Sequence, residues 1–316
     1  MFGHRADGYL VKKIDPIVAL TPYLMPMRCD AQVMLKFDVA YEKLARYIVE
    51  QGGKGYKLTF MDVVIAAFVR TVAELPELNR FIVNKRTYAR KTLSVSFAVL
   101  KKNADRPSEV EENTVKCYFD PRDTIYDVAD RIENIIREGR KEDADNSTLK
   151  VAKLLLKPAL ANTVVWFARL TDRYGILPKY ILEASPFHTS LFLTNMASIG
   201  MPAVNHHIYN FGTTTMFWSI GTPQRSLELD AEGKPKRHRT LPIGVTADER
   251  VAPGRVFAMM CARMLRYLDD PSLLETPAEI VAYDENHDYG LPKPKHHFWS
   301  REKSREKDEN DTAVSA

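Results

Sequence analysis

Between Val245 and Met260 the chain reads "VTADERVAPGRVFAMM". An apolar alternation gives way to a charged turn, and a helical pattern leaves from Gly254. Such turns often carry catalytic groups, because a rigid scaffold presents their side chains. Asp248, Glu249 and Arg250 are the groups on offer, with Pro253 just before Gly254 and no histidine. Glu249 can act as a base, pair with Arg250 or another arginine, or face solvent. Pro253 accepts no proton and suits the first turn of a helix, where its missing N–H costs nothing. Two histidines, His206 and His207, sit together in "AVNHHIYNFG". A pair without carboxylates at ligand spacing is weak evidence for a metal, and exposed loop histidines are the bland alternative.

The elements around these groups follow from periodicity. "DAQVMLKFDV" alternates as a strand, and a helix follows from about Ala40 with Tyr41, Leu44, Ala45 and Ile48 on one face. Thr59 and Asp62 form an N-cap pair opening "FMDVVIAAFVRTVAEL", apolar almost all round and therefore deeply buried. "RFIVNKRTYARK" and "TLSVSFAVLKK" read as two strands, and "NTVKCYF" as a third. A helix runs from Asp123 to about Gly139. Three strands, "HTSLFLTNM", "TTTMFWSIG" and "TLPIGVTA", precede a last helix whose core face is Val256, Phe257, Met260, Met264, Leu265 and Leu268. "EGKPKRHRT", Glu232 to Thr240, is a basic hairpin end that either meets a phosphate or is solvated.

Residues 1–29 are proline-punctuated and apolar, an arm packed along a surface rather than a regular element. Residues 30–285 form the domain, and 286–316 hold too few apolar residues to fold, which predicts a disordered tail. Strands and helices mix without strict β-α-β alternation, and no glycine-rich phosphate loop is present. The expected class is α+β, a mixed β-sheet flanked by helices.

Bulk properties exclude several classes. The net charge of +4 comes from interleaved acids and bases, so no nucleic-acid partner is expected. Cys29, Cys117 and Cys261 show no C-x-x-C spacing, so neither a disulfide framework nor a zinc site is expected. The polar start "MFGHRADGYLVKK" is no secretory signal, and no apolar run approaches the ~20 residues of a membrane span. A soluble, cytoplasmic protein is the expectation.

The order of the pieces resembles the catalytic domain of the 2-oxoacid dehydrogenase acyltransferases, relatives of chloramphenicol acetyltransferase. "LTFMDVVIAAFVRTVAELPELN" looks like the family's buried helix with its Pro-Glu-Leu-Asn turn, here Pro76 to Asn79. "FLTNMASIG" and "TTTMFWSIG" look like the strand that carries a hydroxyl into the site and the strand after it. "ADERVAPGRVFAMMCARMLRYLDDPSLL" looks like the signature turn and last helix. The likeness spans roughly residues 30–275. It implies a chloramphenicol acetyltransferase-like fold, a homotrimer with sites between subunits, and coenzyme A or acyl-CoA as substrate, with no metal. With fewer than 30 residues ahead of the likeness, the family's lipoyl and subunit-binding modules are not expected here.

The family turn reads His-x-x-x-Asp-Gly. Glu249 stands at its histidine position, Pro253 at its aspartate position and Gly254 at its glycine, while Thr194 stands at the hydroxyl position. The resemblance makes Glu249 and Thr194 the catalytic candidates, with His206, His207 and Asn195 as candidates for the substrate channel. Thr194 either donates to the oxyanion of a tetrahedral intermediate or merely packs as a β-branched strand residue. A thiol titrates at about 8.5, an imidazole at about 6.5 and a glutamate at about 4.3. Replacing imidazole by glutamate as base therefore costs about 3 kcal/mol, on the order of a hundredfold in rate. Burial of the glutamate would close that gap. His188 shares strand parity with Thr194 but lies roughly 20 Å away at ~3.3 Å per residue, too far to act on the same atom. Two functions stay open: a CoA-dependent acyltransferase with an atypical site, or a non-catalytic binding or scaffold protein of the same fold.

Residues 146–186 form an insertion, helical in pattern and interrupted by Pro158. Leu154 to Leu156, Leu160, Val164, Val165, Trp166, Phe167 and Leu170 alternate with Lys150, Lys153, Lys157, Arg169 and Arg173. The mix suits a helix in a membrane interface, which would make the protein a peripheral membrane one. It suits equally a hairpin packed on its own domain or lidding the channel, and an apolar acyl chain is a further expected partner.

Overall fold

A computed structural model describes residues 5–102, 110–139, 158–229, 232–284 and 287–291. The N-terminal part holds β1 (Gly8–Leu10), α1 (Pro16–Leu24), β2 (Gln32–Ala40), α2 (Tyr41–Gly53) and α3 (Phe60–Glu74). Next come β3 (Arg80–Val83), β4 (Arg86–Arg90), β5 (Leu93–Lys102), β6 (Val110–Phe119) and α4 (Ile125–Gly139). The segment that follows supplies α5 (Pro158–Arg173) and α6 (Lys179–Ala184). The chain then forms β7 (Leu191–Asn195), β8 (Met216–Ile220), β9 (Gln224–Leu229), β10 (Pro235–Asp248) and α7 (Gly254–Asp269).

The main sheet has the order β2-β10-β8-β7-β5-β6, with β9 paired to the first part of β10. Strand β7 runs parallel to both β5 and β8, and the remaining pairs are antiparallel. The result is the expected α+β class, a mixed sheet flanked by helices. Helices α3, α4 and α7 pack together over one face. Met216, Trp218 and Ile220 of β8 enter that core with Ile243, Val245 and Ala247 of β10. The Trp218 ring meets Phe68 of α3 edge-on at 5.3 Å.

Helix α3 starts where Thr59 and Asp62 predict. The Thr59 hydroxyl accepts from Asp62 N, and the Asp62 carboxylate accepts from Thr59 N at 2.7 Å. Burial pushes the Asp62 carboxyl up to about 6 against those bonds.

The structure differs from the sequence reading in four places. "RFIVNKRTYARK" is a hairpin rather than one strand, because Asn84 and Lys85 both take positive φ (51° and 61°). That pair of left-handed residues makes the tight turn a two-residue hairpin requires, and β3 and β4 join β1 in a second sheet. The N-terminal arm carries a helix, α1, because Asp15 caps it at Ile17 N (2.8 Å) and Pro16 occupies its first turn. Strand β9 has no counterpart in the sequence reading. On α7, Leu265 points to solvent and Tyr267 is buried in its place.

Among the described residues no helix is long and apolar enough to cross a membrane. Leu154 to Leu156, Lys150, Lys153 and Lys157 fall outside the described residues. So does the predicted tail, apart from 287–291, where Gly290 N donates to Lys91 O at 2.8 Å.

Candidate active site

The turn after β10 is assembled around a buried carboxylate. Asp248 has no solvent exposure, and its side chain accepts from Arg250 N, Nε (2.8 Å) and Nη2 (2.7 Å). Arg28 Nε lies 3.6 Å from the same carboxylate. Both arginines reach further: Arg250 Nη1 donates to Met25 O at 2.9 Å, and Arg28 donates to Tyr209 O (2.6 Å) and Gly212 O (3.0 Å). Two cations around one buried anion leave a surplus positive charge, which the three backbone carbonyls help to satisfy. Burial holds the Arg28 guanidinium below its usual range, with Asp248 opposing.

Asp248 therefore takes the arginine that the sequence offered to Glu249. Glu249 is exposed, with no hydrogen bond or ion pair among the described residues. It borders a cleft of about 680 Å³ between α1, β2 and α7. Ile17, Val18, Met25, Leu35, Pro253 and Phe257 give that cleft an apolar wall, and among the described residues Asp15 and Glu249 are its charged lining. The lining suits an apolar chain. It supplies no cation for the phosphates of a coenzyme A.

Thr194 lies elsewhere. It sits half-buried near the end of β7, and its hydroxyl donates to Met196 Sδ at 3.4 Å. Thr194 pairs with Ser219 on β8, and Ser219 pairs with Gly244 on β10. Glu249 follows Gly244 by five positions, about 16 Å along the strand direction, with two strand spacings of ~4.8 Å to add across the sheet. Within one chain the two side chains cannot meet the same atom.

The face of the sheet that bears Thr194 is roofed by the coil between β7 and β8. Ser219 Oγ donates to Val204 O (2.6 Å) and accepts from Val204 N (2.9 Å). Gly244 lies directly beneath, and a Cβ there would come within 2.5 Å of Val204 O. His206 stacks on Phe217 at 3.9 Å, and Phe217 stacks on Phe192, two positions from Thr194. The coil thus brings His206 onto the Thr194 face, while exposed His207 stacks on His206 at 4.5 Å. Asn195 is exposed at the end of β7. Among the described residues no group of three or more His, Cys, Asp or Glu side chains could hold a metal ion.

The basic stretch Glu232 to Thr240 forms the turn and the first part of β10. Its Arg239 pairs with Glu42 at 3.1 Å and covers the Tyr41 ring.

A cluster that sequence reasoning missed surrounds His188. The buried His188 ring places Nδ1 2.8 Å from Ser185 Oγ and Nε2 3.4 Å from Asp172 Oδ2. Asp172 Oδ1 accepts from Arg5 Nη2 at 2.6 Å. A hydroxyl, an imidazole and a carboxylate in sequence are the ingredients of nucleophilic catalysis. Here the other contacts are local and binding: Ser185 Oγ accepts from Phe187 N, and Asp172 is committed to Arg5. The cluster ties the insertion to the N-terminal segment. Burial holds the His188 imidazole below its usual range, with Asp172 opposing. Ser185 and His188, three residues apart, were visible in the sequence, whereas Arg5 and Asp172 are 167 residues apart and no local pattern links them.

No family model matches the chain, and no curated protein matches it. Among solved structures it is similar to a probable dihydrolipoamide acetyltransferase from Listeria monocytogenes 4b F2365, at 12% identity and a TM-score of 0.49, covering 82% of this chain and 93% of that one. It is similar to a truncated catalytic core of the 2-oxoacid dehydrogenase multienzyme complex from Thermoplasma acidophilum, at 13% identity and a TM-score of 0.46, covering 83% and 98%. A chloramphenicol acetyltransferase matches at 14% identity and a TM-score of 0.45, covering 82% and 100%. Overlaps of this size assign no role to any residue of the chain.

Proposed function

We propose that the chain is an acyl-CoA-binding protein of the acyltransferase type, acting as a homotrimer with little transfer activity. One observation supports this most: Glu249, at the position of the missing histidine, has no partner among the described residues and borders a large apolar cleft. An acyl chain fits the apolar wall, with the phosphates of its carrier lying outside. A base needs a hydroxyl or other donor across from it, and Thr194 of the same chain is too distant. A second copy has to bring that hydroxyl, which is why the trimer belongs to the proposal. The exposed face of α1, with Ile17, Leu20, Tyr23 and Leu24, is the surface on which a second copy would pack.

Calorimetric titration with coenzyme A and with a long-chain acyl-CoA tests the reading. Saturable binding of the acyl-CoA, weakened when Phe257 is replaced by Asp, supports it. No heat with either ligand leaves the scaffold alternative, a non-catalytic member of the fold.

A further inference from the structure

A second cleft, of about 240 Å³, opens far along the sheet from Thr194, between β4, β6, α6 and residues 288–291. Arg90 and Tyr118 stand in its wall with Lys91, Lys179 and His188. Arg90 is 3% exposed, yet it has no carboxylate partner among the described residues. Its Nη1 donates to Thr213 Oγ1 (2.9 Å) and its Nη2 to Thr213 O (2.8 Å), leaving one N–H on each, and its buried Nε has no acceptor. The Tyr118 hydroxyl has no hydrogen bond among the described residues. Lys91 donates one proton to Arg5 O at 2.7 Å and keeps two.

Behind this wall the half-buried Lys116 donates to Leu182 O at 2.8 Å and to His188 O at 3.0 Å. Three carboxylates share the cleft. Asp7 is held by Arg5 at 2.8 Å, Glu183 lies 3.6 Å from Lys179, and Asp288 is exposed at the rim. Arg90 lies over the Phe81 ring at 4.6 Å and Lys91 over the Tyr9 ring at 4.7 Å, but among the described residues neither has a carboxylate within ion-pair distance. Isolated buried charge is costly unless a partner arrives, and a bound anion would be that partner.

We infer that this cleft is a binding site for a small oxyanion, a phosphate group or a compact carboxylate, held by Arg90, Lys91 and Tyr118. None of these residues borders the apolar cleft at Glu249, so the inference stands apart from the acyl-CoA reading.

The test is titration of the full chain, in a low-salt buffer free of oxyanions, with inorganic phosphate and separately with malonate. Saturable binding of either at millimolar concentration is expected. The anion that binds tells a phosphate ligand from a carboxylate one. Lys91→Met should weaken the binding about tenfold, as loss of a charged hydrogen bond does, and Tyr118→Phe should weaken it severalfold. Glu249→Gln, in the other cleft, should leave it unchanged. Both binding-site variants keep most of their apolar atoms, and circular dichroism confirms that they fold. No saturable binding of either anion, or binding that both folded variants retain in full, overturns the inference.

Discussion

Glu249 and Thr194 occupy opposite ends of one sheet, separated by the five-residue run from Gly244 to Glu249 and by two strand spacings. Transfer of acetyl from acetyl-CoA to dihydrolipoamide should therefore be slow, well below the enzyme norm of ~10 per second. A turnover near that norm that vanishes in Glu249→Gln would make this glutamate an effective base and overturn the expectation.

Assembly should be visible in solution. Leu24 is 71% exposed and Ile17 is 76% exposed on α1, so replacing both by glutamate costs the single chain little. The parent should sediment as a trimer at micromolar concentration and the double variant as a folded monomer. A stable monomer for the parent would remove the shared site.

The two carboxylates of the turn should behave oppositely. Asp248→Asn leaves Arg28 and Arg250 without their anion in a buried site and should cost about 3–5 kcal/mol by urea unfolding. Glu249→Gln touches no partner and should change stability by less than about 0.5 kcal/mol. Equal costs would mean that Glu249 carries structure.

Lys116 should set a pH dependence of stability. Burial lowers its ammonium from 10.5 to about 7. Between those values the unfolded chain binds more protons than the folded one, so stability rises with pH there. The penalty for burying the ammonium is fully present below about pH 7 and is relieved as pH climbs toward 10.5. Unfolding free energies of the parent and of Lys116→Met, measured across this window, should diverge at low pH and converge at high pH. Parallel curves would contradict the assignment.

Helix α5 exposes Trp166 (62%) and Phe167 (59%) beside Arg169 and Arg173. We expect the parent to float with anionic liposomes and a Trp166→Ser, Phe167→Ser variant to stay behind while remaining folded. Absence of flotation for the parent, with the variant destabilised by several kcal/mol, would make the segment ordinary core.

The sequence carried the parts of this protein that depend on local periodicity or caps. Thr59 and Asp62 announced α3, and the β10-to-α7 turn was legible because its strand alternation stops at the charged residues. The Asn84–Lys85 turn is not legible because neither residue is glycine and lysine has no preference for positive φ, although asparagine does. Pairings across the chain stayed hidden: nothing near Arg28 in sequence points to Asp248, 220 residues later. The candidate residues themselves could be read, but the direction of Glu249 could not. That direction follows from which of two adjacent carboxylates the buried arginines take.

Ser219 holds the N–H and C=O of Val204 with one oxygen, over a glycine that leaves the coil no clearance. The sheet face bearing Thr194 is thereby closed from above along the Ser219–Gly244 line. A ligand approaching the Thr194 hydroxyl on this face would have to come in along the strands rather than through the coil. The closure along the Ser219–Gly244 line would favour a slim ligand over a wide one at that hydroxyl.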